Sequence, residues 1–161
     1  AIEYERSLFL PTGEGWLDPR RRETGKQGNI MTAWCHGAPG IGLGRLNSLA
    51  QIDDEKVQAE IRVALELTLA RGFGQSHSLC HGDLGNLDFL LQARAMLNDS
   101  GTLIERISAI ILQDLEIHGP VCGVPSGIES PGLMTGLAGI GYGLLRIAEP
   151  ARIPSVLTLS T

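Results

Sequence analysis

From residue 53 onward, apolar side chains recur at helical spacing. Val57, Ile61, Ala64 and Leu65 form one set, and Ala59, Val63, Leu67 and Ala70 a second. Glu55, Gln58, Arg62 and Glu66 are left on a narrow polar stripe, which predicts a helix covered on two sides. Glu60 falls outside that stripe. Asp53, Asp54 and Glu55 place negative charge at the helix start, where the macrodipole favours it. A second helix follows Gly82, with Leu84, Leu87, Leu91 and Ala95 on one face. A third starts at Thr102, whose hydroxyl, with Glu105 three residues on, makes a capping box. It carries Leu103, Ile104, Ile107, Ile110, Ile111 and Leu115 and stops at His118-Gly119-Pro120. A fourth runs from about Leu133 to Ala148, before Pro150, and Ala1 to Leu10 reads as a short amphipathic segment. Strand-type alternation is nowhere sustained, so the predicted class is all-α.

Three glycine-rich turns punctuate these helices and share a Gly-x-x-Gly core. They run His36-Gly37-Ala38-Pro39-Gly40, His81-Gly82-Asp83-Leu84-Gly85 and Thr135-Gly136-Leu137-Ala138-Gly139. Their first glycines are 45 and 54 positions apart, a repeat that suits one helical hairpin and predicts an array of helix pairs. Glycine at i and i+3 lets a neighbour or a ligand approach the backbone. Pro11 to Asn29 has no helical period and is expected to be an exposed loop, with Arg20, Arg21, Arg22 and Glu23 solvated in it. The absence of an initiator Met makes a piece of a longer protein the expectation.

A chain of 161 residues suffices for one domain with a core. At 43% apolar and 19% charged residues it reads as globular, not disordered. The net charge of −5 argues against nucleic acid, whose binding needs a basic face. No run of 18 apolar residues suggests a membrane span, and no signal-peptide pattern opens the chain.

The chemistry concentrates in two places. Trp34-Cys35-His36-Gly37 and Leu79-Cys80-His81-Gly82 each set a cysteine beside a histidine, using two of the three cysteines and two of the four histidines. Thiolate and imidazole are preferred zinc ligands, so metal binding in a reducing compartment is expected over a disulfide framework. All four residues together would make a closed structural site. Three with an open fourth position would make a catalytic one, and spacing does not choose between them. The bland alternative is buried thiols beside histidines bonded to backbone carbonyls. His118 reads as a cation at a helix C-terminus and Cys122 as a free thiol. Asp83, at a helix N-terminus, is expected either to cap it or to support a ligand histidine.

The two Cys-His-Gly stretches resemble the zinc motifs of the lanthionine synthetase C-like cyclases. Pro131 to Tyr142 resembles the last glycine motif of the cyclase domain in class II lanthipeptide synthetases, and Tyr4-Glu5-Arg6-Ser7-Leu8-Phe9 is also similar to that class. The resemblance implies an α/α toroid, of which residues 1–161 would be the C-terminal half. Such an open half-ring would expose apolar helix faces. It implies Zn2+ held by Cys35, Cys80 and His81, with the fourth position left for water or substrate. It implies addition of a peptide cysteine thiolate to dehydroalanine or dehydrobutyrine, giving lanthionine or methyllanthionine. The implied partners are a dehydrated precursor peptide with its leader and an upstream dehydratase domain, in the bacterial cytoplasm. The family's own acid/base histidine and aspartate have no matching motif here. His36, abutting Cys35, and His77, near Cys80, are therefore the local acid candidates, with His77 also readable as a satisfied structural histidine. Two other readings compete. One is a zinc-stabilised helical module that binds peptide without turnover. The other is an unrelated toroid with paired carboxylates in a cleft, for which only Asp53-Asp54 would serve, and these are better explained as a helix start.

Overall fold

The computed structural model describes residues 1–18, 30–52, 54–97 and 101–158. Among them lie six α-helices: α1 (Ile2–Ser7), α2 (Ala38–Ser48), α3 (Glu55–Arg71), α4 (Asp83–Gln92), α5 (Thr102–His118) and α6 (Leu137–Ala148). Beside helices and loops there is a two-residue antiparallel ladder, β1 (Thr32–Ala33) against β2 (His36–Gly37), pairing Thr32 with Gly37 and Ala33 with His36, and isolated bridges join Phe9 to Trp16 and Leu17 to Ile30. The class expected from periodicity therefore holds in its coarse form: the chain is mostly helical.

Helix α3 buries Val57, Ile61, Ala64, Leu65 and Thr68 and packs against α2. Asp54 caps it, its carboxylate accepting from the Val57 amide at 2.7 Å. Asp53, the other member of that carboxylate pair, lies outside the described residues. Helix α4 is buried from Asp83 through Leu90 and packs against α2, α5 and α6, which makes it the centre of the core. Its one-sided periodicity understated this: Phe89 and Leu90 are as fully enclosed as Leu84 and Leu87. Ala95, expected on that same helix, lies in a following 3₁₀ turn, Arg94–Met96. Asn86 of α4 donates its side-chain amide to the carbonyls of Thr32 (2.9 Å) and Gly72 (2.5 Å), tying β1 and the end of α3 to the core.

Four sequence expectations are corrected. The stretch Gly37–Leu43, read as a turn, closes β2 and then becomes the first turns of α2, with Pro39 near its start where the missing N–H costs nothing. The expected exposed loop over 11–29 is exposed only in part. Trp16 is 4% and Asp18 5% accessible, Phe9 stacks edge-on against Trp16, and 19–29 lie outside the described residues. Thr102 is not an N-cap: it is the first residue of α5, and the cap is Gly101 in the left-handed region. The fourth helix also starts later than expected, at Leu137. Ile110 and Ile117 of α5, Leu145 of α6 and the loop residue Ile128 are more than half exposed.

Two charge clusters lock the helices together. Glu60, the residue that broke the polar stripe of α3, receives Nε of both Arg6 and Arg45, the latter at 2.6 Å, while Arg45 Nη1 also reaches Glu5 at 2.5 Å. Burial works against ionisation of Glu60, but the two guanidinium hydrogen bonds outweigh it and hold the carboxyl below the usual carboxylate range. The second cluster is buried. Arg146 of α6 meets Asp88 of α4 at 2.7 Å, Ser155 donates to the other carboxylate oxygen, and Arg146 Nη1 donates to the carbonyls of Pro150 and Ile153. This pins the C-terminal turn onto two helices.

Arg146→Met strands the Asp88 carboxylate and is expected to cost about 3–5 kcal/mol in urea unfolding, with much of that recovered by adding Asp88→Leu. Glu60 has a depressed folded pKa, so its contribution is present above the unfolded value of about 4.3 and lost as pH falls through the folded one. Glu60→Gln is expected to lower the urea midpoint at pH 7 and to flatten the decline in midpoint between neutral pH and pH 3.

Candidate metal centre

The three glycine-rich turns are built alike. In each, a Cβ added to either core glycine would overlap the carbonyl oxygen six residues back: Gly37 on Met31, Gly40 on Trp34, Gly82 on Ser76, Gly85 on Leu79, Gly136 on Ser130 and Gly139 on Leu133. The incoming loop thus lies directly on the first turn of the outgoing helix, an approach only glycine permits. The turns are then joined in series. The Cys35 amide donates to the Cys80 carbonyl at 3.1 Å, and the Cys80 amide donates to the Met134 carbonyl at 2.8 Å. Equivalent residues of successive repeats are therefore hydrogen-bonded, and this stacking is what brings Cys35 beside Cys80 across 45 positions.

Cys35, Cys80 and His81 are all half-buried, and their donor atoms lie within 4.8 Å of one another. In a tetrahedral site with Zn–S near 2.3 Å, two sulfurs stand roughly 3.8 Å apart, so small side-chain rotations close the set. Two thiols and one imidazole are soft and borderline donors, suited to zinc and poorly suited to Mg2+ or Ca2+. The site can hold a metal ion through three protein ligands. His81 is held from two sides: its amide lies 3.5 Å from Ser78 Oγ, and the backbone of Gly123 packs so near its ring that a Cβ there would stand 2.8 Å from Nε2.

The other candidates separate. His36 sits on β2, half-buried, and lines a cavity together with Cys35. His77 is 2% exposed with both ring nitrogens engaged. Nδ1 accepts the Val121 amide at 3.0 Å and so carries no proton, which leaves Nε2–H to meet Asp114 at 3.0 Å. His77 also donates its amide to the Val121 carbonyl at 2.9 Å, so it latches the loop before Cys80 to the segment after α5. Asp83 neither caps α4 nor touches a ligand histidine. Its carboxylate accepts the Gly74 amide at 3.0 Å and folds the 74–75 loop back, while burial pushes its carboxyl up against the pull of those amides. His118 ends α5 and bonds Asp114 at 2.8 Å, an interaction that holds the Asp114 carboxyl down. Cys122 is a buried free thiol outside the three-donor group.

Sequence reasoning missed the surroundings of the centre. A cavity of about 310 Å³ opens beside Cys35 and His36, walled by Trp16, Trp34, Ile41 and Arg45. A second cleft, of about 450 Å³, adjoins His81 on the side of Cys122, Gly123 and Ser76. Trp34, preceding the first cysteine, was the available signal; the contribution of Trp16 was hidden in a stretch with no period. No described helix is long and apolar enough to cross a membrane.

A family model described as lanthionine synthetase C-like protein matches residues 1–158. The chain is similar, at 29% identity over 147 residues, to the lacticin 481/lactococcin biosynthesis protein LcnDR2 of Lactococcus lactis subsp. lactis. That match covers 82% of the chain but 15% of the relative's length.

Replacing Cys35, Cys80 or His81 by Ala is expected to abolish stoichiometric zinc in protein dialysed against a competing chromogenic chelator. Gly123→Ala, which presses on His81 and Ser78 without removing a donor, is expected to weaken zinc about tenfold or more while the thermal unfolding midpoint moves little.

Proposed function

The chain belongs to the lanthionine synthetase C-like family, and on that premise we propose that it carries the metal centre of a peptide cyclase that forms thioether rings in lanthipeptide biosynthesis. The observation that carries this reading is the convergence of Cys35, Cys80 and His81 from two stacked repeats beside an open cavity. The substrate would be a dehydrated precursor peptide. The chain would be the C-terminal half of an α/α toroid in a class II synthetase of the bacterial cytoplasm, with a dehydratase domain upstream. The similarity to LcnDR2 over a small part of that protein supports this placement.

Cys35, Cys80 and His81 would hold Zn2+, with no fourth protein donor among the described residues. Zinc, when bound, would supply a Lewis acid that lowers the pKa of an incoming peptide thiol from about 8.5. In the reaction, peptide sulfur bonds to Cβ of the dehydro residue and the Cα–Cβ π bond breaks. The electron pair moves onto Cα and its carbonyl, and a proton is then delivered to Cα. His36, which lines the same cavity as Cys35, would hold that proton. His77, with both nitrogens committed, instead fixes the loop that presents Cys80 and His81.

Incubation with a dehydrated peptide, followed by alkylation of free thiols and mass spectrometry, tests the reading. Loss of alkylatable thiol at constant peptide mass, abolished by Cys80→Ala, is the expected result. Peptide binding with no thiol loss would leave only a zinc-stabilised binding module. His36→Asn is expected to slow ring formation about 100-fold with zinc retained, and His77→Ala to lower stability first.

A further inference from the structure

Beyond α5, residues 121–123 run as a short strap beside the Cys80-His81 turn. His77 holds its start, donating its own amide to the Val121 carbonyl at 2.9 Å and accepting the Val121 amide on Nδ1 at 3.0 Å. The Gly123 amide holds its end on the Thr135 carbonyl at 2.8 Å, and Gly123 packs against the His81 ring and Ser78. What fixes the strap at His77 therefore also seats His81.

The bond to Val121 requires a ring with no proton on Nδ1. A proton there would point at the Val121 N–H, donor against donor at 3.0 Å, and the strap would have to lift. The charge nearby pulls the other way. Asp114 of α5 lies 3.0 Å from Nε2, and its 2.8 Å bond to His118 holds its carboxyl below the usual range, so its negative charge persists into acid. Asp83 of α4 also feels His77, although burial pushes its carboxyl up, and the strap itself adds the buried Cys122 thiol. One amide thus opposes a charge that the carboxylates favour.

We infer that His77 is a proton-operated latch: acid selects a lifted strap, in which the doubly protonated ring stays on Asp114 and releases Val121. The lifted state binds one proton more than the closed state. Its share therefore grows as pH falls below about 6.5, where an imidazole open to water charges, and the closed strap is favoured above that value. The seating of a metal-site residue then depends on a histidine that is not itself a donor to the site.

Hydrogen exchange of the full chain, corrected for the intrinsic pH dependence of amide exchange, reads the strap directly. The opening constant at Val121 is expected to rise about tenfold between pH 7.5 and 5.5. His77→Asn is expected to show no such rise, because its side-chain oxygen accepts from Val121 and does not titrate. Acid loss of a bound metal would loosen both proteins alike, so an equal rise in His77→Asn overturns the latch, as does constant protection in the unsubstituted protein. Nitrogen-15 spectra of the histidine rings need no variant. His77 is expected as the Nε2–H tautomer at pH 7.5, and a proton on Nδ1 at that pH overturns the latch.

Discussion

The series of hydrogen bonds from Cys35 to Cys80 to Met134 is the constraint on which the site depends. It exists because each repeat lays its incoming loop on the first turn of its outgoing helix, with two glycines removing the side chains that would hold them apart. Given that contact, the residue just before each His-Gly or Thr-Gly pair is presented at the same height in every repeat. Two of those stations hold Cys and then His, and the third holds Met134 and Thr135. The backbone is repetitive while the chemistry is confined to two of its three stations.

The sequence made some of this legible, for identifiable reasons. Helices α3 and α5 have caps or stops and long apolar periods, so their course could be read directly. Helix α2 could not, because Gly40, Gly42 and Gly44 carry no periodic signal and lower helix propensity. They are tolerated there because close packing decides what propensity does not. The pairing of cysteine with histidine pointed to the metal centre, and the family resemblance selected Cys35 over His36 as the donor in the first stretch. The roles of His77 and Asp83 were hidden, since both are set by backbone amides that no periodicity reveals, Val121 for one and Gly74 for the other. Glu60 was visible only as an exception to a pattern, and the exception marked the partner of two arginines.

Those arginines join helices that are distant in sequence. Glu60 on α3 orients Arg45 on α2, and Glu5 on α1 holds its other edge, so three helices fix one guanidinium beside the cavity next to Cys35. The Asp88–Arg146 cluster seats the C-terminal turn on α4 and α6. Buried charge thus joins helices at two places in one small fold.

The placement of the three donors has a further consequence when the unfolded chain is considered. An ion held by Cys35, Cys80 and His81 ties together points 45 residues apart, and so acts as a reversible cross-link. By chain entropy alone, closing a loop of that length is worth about 4 kcal/mol, comparable to a well-placed disulfide. The cross-link spans the contact between α2 and α4, the same contact that aligns the loops. Metal depletion would therefore act on this chain as reduction acts on a disulfide-stapled domain, loosening the array before any ligand residue is altered.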